Sequence, residues 1–193
     1  CIVLQLLLED TLGMPFEEIA RETVFGPLGM ESSTFVYPLP EELREREALP
    51  HDREGIARPP LMHLTALGHA GLMTTPSDLA RFMTELMRAY RGESDAVLNR
   101  ETAASLFQRE ADIDPAALGV PLGEGLGVFL YGSGDELVFF HPGGNTPGAN
   151  CWPFASLESG KAAVIMTNGM NGQDLFMEIL AAVVREYEWP VSE

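Results

Sequence analysis

From residue 121 onward the chain alternates short apolar runs with Gly-bearing turns, and this rhythm restricts its fold more than any other feature. Glu124 to Tyr131, Glu136 to His141, Ala149 to Ala155 and Lys161 to Thr167 read as strands. Gly132-Ser133-Gly134-Asp135 reads as the turn joining the first two, and Glu158-Ser159-Gly160 as the turn joining the last two. Connections this short cannot carry the chain across a sheet, so successive strands pair antiparallel. From about Gly172 to Glu188 the period becomes helical. Leu175, Phe176, Ile179, Leu180, Val183, Val184 and Tyr187 form a stripe suited to covering one face of the sheet.

Residues 1–120 read as mainly helical. Cys1 to Thr11 is apolar nearly all round, which predicts a fully buried helix ended by Gly13. Pro15 opens a second helix with Phe16, Ile19, Ala20 and Val24 on one face, broken by Gly26-Pro27-Leu28-Gly29-Met30. A long loop over about 31–60, with prolines at 38, 40, 50, 59 and 60, predicts a solvated surface excursion containing a short helix near Glu41 to Glu47. Thr75 and Pro76 are a strong helix start, with Asp78 at the capping-box position. Leu79, Phe82, Met83, Leu86, Met87 and Tyr90 then recur at core-facing spacing until Arg91-Gly92. A shorter helix from about Asn99 to Gln108 turns Thr102, Ala103, Leu106 and Phe107 inward. The expected class is α+β, an antiparallel β-sheet flanked by helices. Residues 1–120 supply the helical part and 121–193 the sheet with its C-terminal helix, together one domain or a large piece of one.

Charge narrows the function. With 29 acidic against 12 basic residues the net charge is −17, which argues against a nucleic-acid partner or an anionic membrane surface. The sole lysine is Lys161, and such an acid-rich, lysine-poor surface suits a salt-adapted source. The apolar start is too short to span a bilayer. Two cysteines, Cys1 and Cys151, make no disulfide framework and leave the compartment open. The histidines, His51, His63, His69 and His141, lie in no zinc-like spacing, so neither a metal nor another cofactor is expected.

The candidate chemistry lies in His141-Pro142-Gly143-Gly144-Asn145-Thr146-Pro147-Gly148. Two glycines directly after a histidine let backbone amides approach whatever sits beside the imidazole. Exposed amides aimed at developing negative charge are the makings of an oxyanion site. A Gly/Pro-rich hairpin turn with an incidental polar residue is the bland alternative.

Four segments in order carry a resemblance: Gly13-Met14-Pro15-Phe16; Phe25-Gly26-Pro27-Leu28-Gly29-Met30; Ala70-Gly71-Leu72-Met73-Thr74-Thr75-Pro76-Ser77-Asp78-Leu79-Ala80-Arg81-Phe82; and His141 to Gly148. With Thr167-Asn168-Gly169 after the last strand, they resemble the serine hydrolases of beta-lactamase fold. That family includes class C beta-lactamases, D-alanyl-D-alanine carboxypeptidases and esterases. The resemblance implies acyl transfer through a serine ester, on a small-molecule or peptide ester, amide or beta-lactam. It makes His141, Gly143 and Gly144 candidate catalytic residues, with the Gly144 amide as an oxyanion donor, and Asn145 and Thr146 candidate substrate-binding residues. Histidine rather than lysine at 141 leans towards the esterase and peptidase-like members.

The departures from the family pattern are specific. Glu158 stands three residues before the only lysine, so no Ser-x-x-Lys is present, and no Tyr-x-Asn or Ser-x-Asn follows. The chain therefore reads as a C-terminal portion, one partial catalytic domain, inactive by itself and completed by a missing N-terminal portion or by self-association. A pseudoenzyme of the same fold that only binds its ligand is the alternative. Use of Cys1 as an N-terminal nucleophile is disfavoured, because Cys1 heads an apolar helix, where a small buried hydrophobe is the usual role.

Overall fold

The structure is a computed structural model that describes residues 1–59, 67–114, 121–145 and 147–189. His63 and Thr146 lie outside the described residues. The helical part comprises α1 (Ile2–Leu12), α2 (Phe16–Ala20), α3 (Gly26–Leu28), α4 (Glu41–Arg44), α5 (Leu67–Ala70), α6 (Pro76–Arg91) and α7 (Arg100–Leu106). Next come β1 (Ala111–Ile113), β2 (Leu122–Glu124), β3 (Phe129–Tyr131), β4 (Val138–Phe140), β5 (Gly143–Asn145), β6 (Ala149–Ser156), β7 (Lys161–Thr167) and α8 (Gly172–Glu186). The strands make one antiparallel sheet in the order β1-β2-β3-β4-β6-β5, with β7 on the other edge of β6.

The sheet is a two-faced layer because apolar residues alternate in their partners. Phe139, Leu130 and Ala155 point to α6, where Met83, Leu86 and Met87 meet Phe107 and Leu157. The next residues along, Phe140 and Phe154, point the other way, to Phe176 of α8 and Trp189. Trp152 stacks on Phe176 with ring centroids 3.9 Å apart. A fully buried Phe139 contributes about 2–3 kcal/mol by removal from water alone. The stripe on α8 covers the sheet over its middle only. Leu175 and Tyr187, read as part of that stripe, are exposed because they lie at its flank and end.

Helix starts follow side-chain chemistry. Thr75 caps α6 by accepting the Asp78 amide at 3.2 Å, and Asn99 caps α7 by accepting the Thr102 amide at 2.9 Å. Gly92 closes α6 at φ 74, a left-handed value that costs glycine little. The Asp78 carboxylate does not complete a capping box. It is buried and accepts from the Ser32 amide (2.8 Å) and Ser33 hydroxyl (3.0 Å), and it pairs with Arg81 (2.9 Å). Thr102 is exposed instead of inward, leaving Ala103 and Phe107 as the buried contacts of α7.

Several expectations are corrected. α1 is a helix, but Ile2, Val3, Leu4, Leu6, Leu7, Leu8 and Leu12 are all exposed and only Gln5 is buried. The described residues offer α1 little more than α5 and Phe16 to pack on, so its apolar surface exceeds the core available. The second helix ends within Gly26-Pro27-Leu28-Gly29-Met30, at Gly29 and not at its first residue. A π turn over Arg21–Phe25 carries it into α3, where Pro27 falls in a first turn that needs no amide, and Gly29 (φ 63) ends it. The stretch from Glu124 to Tyr131 is a hairpin, not one strand: β2 and β3 are joined by a turn with Gly127 at φ 77. The short β1 and β5 had no alternating pattern by which to be read.

The loop after residue 30 is not a free excursion. Thr34 bridges to Met73, and the carboxylate of Glu17 accepts both the Thr34 hydroxyl (3.0 Å) and the Phe35 amide (2.6 Å). Further on, His51 bridges to Gly169 just past β7, with its amide 2.7 Å from the Asn168 carbonyl. The loop is thus tied at both ends to elements around the sheet edge.

Candidate active site

β4 and β5 are two halves of one strand laid along β6. Phe140 faces Phe154 and Gly143 faces Cys151, so the register runs through unshifted. What weakens the ladder is Pro153, opposite His141. The His141 amide donates to the Pro153 carbonyl at 3.4 Å, and Pro153 has no N–H to return. On the same side the Leu157 amide donates to the Leu137 carbonyl at 3.0 Å. Odd-numbered residues of this strand therefore direct their backbone polar groups at β6, and even-numbered ones direct them away. Pro142 fits because its missing N–H would have faced away from β6.

The same alternation governs Gly144. It stands opposite Asn150 in the position that directs both N–H and C=O off the sheet, and among the described residues no further strand pairs with β5. An unpaired, exposed amide on a glycine is a donor that a ligand oxygen can reach without meeting a side chain. Gly143 is also exposed, with open space where a Cβ would stand. His141 lies beside them, exposed, its ring 5.9 Å from that of Phe129. The imidazole is open to solvent and is not packed into the core.

Asn145 ends β5 and is tethered. Its Nδ2 donates to the Ala70 carbonyl at 3.2 Å, joining the sheet edge to α5. α5 is held from below by Gln5, whose Oε1 accepts the Gly68 amide at 3.0 Å. The Gln5 side chain also reaches Glu9, which accepts the Phe16 amide at 3.0 Å. The structure thus brings His141, Gly143, Gly144 and Asn145 to one open edge.

The turn after β5 is fixed by close backbone approach. Gly148 has φ 110, and a Cβ there would come 2.4 Å from the His51 carbonyl oxygen and 2.9 Å from the Met170 nitrogen. Asn150 reinforces it by donating to the carbonyls of Gly148 (3.3 Å) and Gly169 (2.9 Å) and to the Thr167 hydroxyl (3.2 Å). Asn168 donates to the Leu49 carbonyl at 2.9 Å and so holds the long loop in place. Nearby, Asp52 is held below its usual carboxylate range, first by the Ile56 amide and also by Arg58. On β6, desolvation pushes the Cys151 thiol up to about 11, which keeps it protonated and unreactive at neutral pH. Sequence reasoning missed Gln5, Ala70, His51 and Asn168 as supports, since each acts across a large sequence separation. Among the described residues no group of three or more His, Cys, Asp or Glu side chains could hold a metal ion. No helix among them is long and apolar enough to cross a membrane.

Comparison with known proteins bears on the fold and the family. None of the curated proteins matches the chain in sequence. Among solved structures, SurE superposes with a TM-score of 0.78 at 22% identity, over 100% of this chain and 44% of SurE. The octameric penicillin-binding protein homologue from Pyrococcus abyssi gives 0.71 at 21%, over 86% of this chain and 36% of that one. The beta-lactamase/D-alanine carboxypeptidase from Pseudomonas syringae gives 0.70 at 16%, over 86% and 52%. At these identities the likeness is one of fold, and the chain spans about half or less of each neighbour's length. The sequence profile of the family described as Beta-lactamase matches residues 1–185. With nearly its whole length so matched, the chain belongs to the beta-lactamase family.

Proposed function

We propose that this chain is the C-terminal portion of a serine hydrolase that acts on an ester, amide or beta-lactam through an acyl-serine intermediate. The observation that carries the reading is the Gly144 amide, exposed and directed off the sheet beside an open imidazole. In this mechanism a serine attacks the substrate carbonyl and the oxygen, now negatively charged, accepts from the Gly144 N–H. A donor so placed is worth about 3 kcal/mol to the transition state. His141 grips the substrate carboxyl or relays the proton to the leaving group. The nucleophile comes from outside this chain, from a preceding portion that also covers the exposed face of α1, or from association with another copy.

The test is hydrolysis by the product of the complete gene, assayed with nitrocefin and a p-nitrophenyl ester. Turnover together with a covalent adduct on a serine supports the reading. Tight binding without an adduct favours the pseudoenzyme, to which the lack of a Ser-x-x-Lys in these 193 residues lends support. Lack of both binding and turnover overturns it.

A further inference from the structure

Two candidate side chains are described at the open edge, and only one is fixed by a hydrogen bond. Asn145 donates to Ala70 at 3.2 Å, whereas neither ring nitrogen of His141 has a hydrogen-bond partner among the described residues. The backbone of His141 is held. Its amide donates to the Pro153 carbonyl, and Pro142 keeps the residue before it extended. Those constraints leave χ1 and χ2 open. An exposed side chain with nothing beside it changes rotamer within picoseconds to nanoseconds. A ring that does so does not keep a nitrogen within hydrogen-bond reach of one substrate atom.

Phe129 supplies the missing restraint. It opens β3 opposite Phe140, with the two rings 5.7 Å apart at an interplanar angle of 33°. Its other ring neighbour is the imidazole of His141, 5.9 Å away at 38°. Both separations fall within the roughly 4.5–7 Å at which aromatic pairs attract. Phe140 in turn packs against the core of Phe154, Phe176 and Trp189. The position of the imidazole is thus referred through two phenyl rings to the rigid interior. Phe129 itself is half-buried and belongs to neither of the cores on the two faces of the sheet. Its ring is therefore not needed to fill an interior, and a large aliphatic residue would also suit the strand. What only an aromatic ring provides here is a flat partner for the imidazole.

We propose that Phe129 is a positioning residue, whose ring holds the His141 imidazole in one rotamer beside the exposed Gly143 and Gly144. The use of that order in catalysis rests on the hydrolase reading above; the order itself does not. On the 193-residue chain, three-bond couplings of His141 should report a single χ1 rotamer, with Overhauser contacts from its ring protons to the Phe129 ring. Phe129→Leu should average those couplings, and Phe129→Tyr should keep them. In the complete gene product, Phe129→Leu should lower kcat/KM for a p-nitrophenyl ester about tenfold, as a small misplacement of a reacting group does, and Phe129→Tyr should restore it to within about twofold. In a His141→Ala background Phe129→Leu should cost no more than about twofold, because nothing is left to position.

Averaged His141 couplings in the unmodified chain, or couplings that stay fixed in Phe129→Leu, overturn the proposal. So does a loss of activity in Phe129→Leu that is equal with and without His141, since that marks a merely structural role. Should Phe129→Leu fail to fold by circular dichroism, the unmodified chain decides: one rotamer in contact with Phe129 upholds the proposal, and averaging overturns it. A complete gene product without turnover defeats the hydrolase reading, and the couplings then decide this one by themselves.

Discussion

Asn145, at the free edge of the sheet, donates from Nδ2 to the carbonyl of Ala70 3.2 Å away, joining residues 75 positions apart in the chain. This bond sets the distance between α5 and the strand that carries Gly144. An exposed neutral bond of this kind contributes about 1 kcal/mol, so Asn145→Ala should lower the melting temperature by only about 3 °C. On the proposed hydrolase reading, the same substitution in the complete gene product should lower kcat about tenfold with little change in KM, because it would loosen the proposed Gly144 donor and not the binding of substrate. Stopped-flow or steady-state kinetics on the variant would measure that split.

Gly148→Ala should be far more damaging. The backbone there is at φ 110, and the new Cβ would meet the His51 carbonyl oxygen at 2.4 Å, so neither strand nor loop can keep its place. Strain of that type costs about 1–3 kcal/mol, and displacement of the loop adds to it. Urea denaturation should show a lower midpoint. Gly143→Ala, where open space is available, should shift it by less than about 0.5 kcal/mol.

The outer surface of α1 should drive association. Val3 is 78% exposed and Leu4 63%, on a helix whose single buried residue is Gln5. A contiguous apolar patch of this kind marks an interface. Light scattering on the 193-residue chain should report dimers or larger species. The double variant Leu4→Glu/Leu7→Glu should return it to a monomer, because these residues touch no core that their loss would empty.

The two thiols should differ in reactivity. Cys1 is exposed, whereas desolvation raises Cys151 from its ordinary value to about 11. At pH 8 iodoacetamide should therefore modify Cys1 first, with Cys151 labelled only after unfolding. The sign for stability follows from proton linkage. The folded chain holds the Cys151 proton more tightly than the unfolded one, so its contribution is intact below about pH 9 and declines as the pH rises towards 11. Denaturation midpoints between pH 8 and 11 would show the fall.

A net charge of −17 makes the folded chain repel itself, and dissolved ions weaken that repulsion. The melting temperature should rise by about 3 °C or more between dilute buffer and molar potassium chloride, equivalent to about 1 kcal/mol in a domain of this size. A flat response in calorimetry would remove the case for salt adaptation.

What the sequence made legible was governed by local chemistry. Thr75 and Asn99 announce helix starts because a side-chain oxygen within three residues of an orphan amide suffices to cap. β6 and β7 are long and apolar enough to be read directly, as is the antiparallel pairing of strands joined by tight turns. β5 was not, since Gly143, Gly144 and Asn145 carry no alternation, and only the register imposed by β6 makes them a strand. Likewise, hydrophobicity alone predicted burial for α1, yet burial depends on what is available to cover it. Asp78 has the position of a capping acid, but Ser32 and Ser33 compete for it across 46 and 45 residues. The residue types at His141, Gly143 and Gly144 marked them as candidates, while the contacts that tie this edge to the helices, through Gln5 and Ala70, lie beyond any local pattern.

The half-made rung between His141 and Pro153, a single 3.4 Å bond, divides the strand mechanically. Peeling Gly143–Asn145 from β6 costs only the few bonds of that segment and the Asn145 tether, because no continuous zipper transmits the opening to Val138–Phe140. The open edge at Gly143–Asn145 can therefore breathe while the aromatic packing under Phe139 and Phe140 stays shut. Hydrogen exchange should accordingly find Gly143 and Asn145 losing protection well before Phe139.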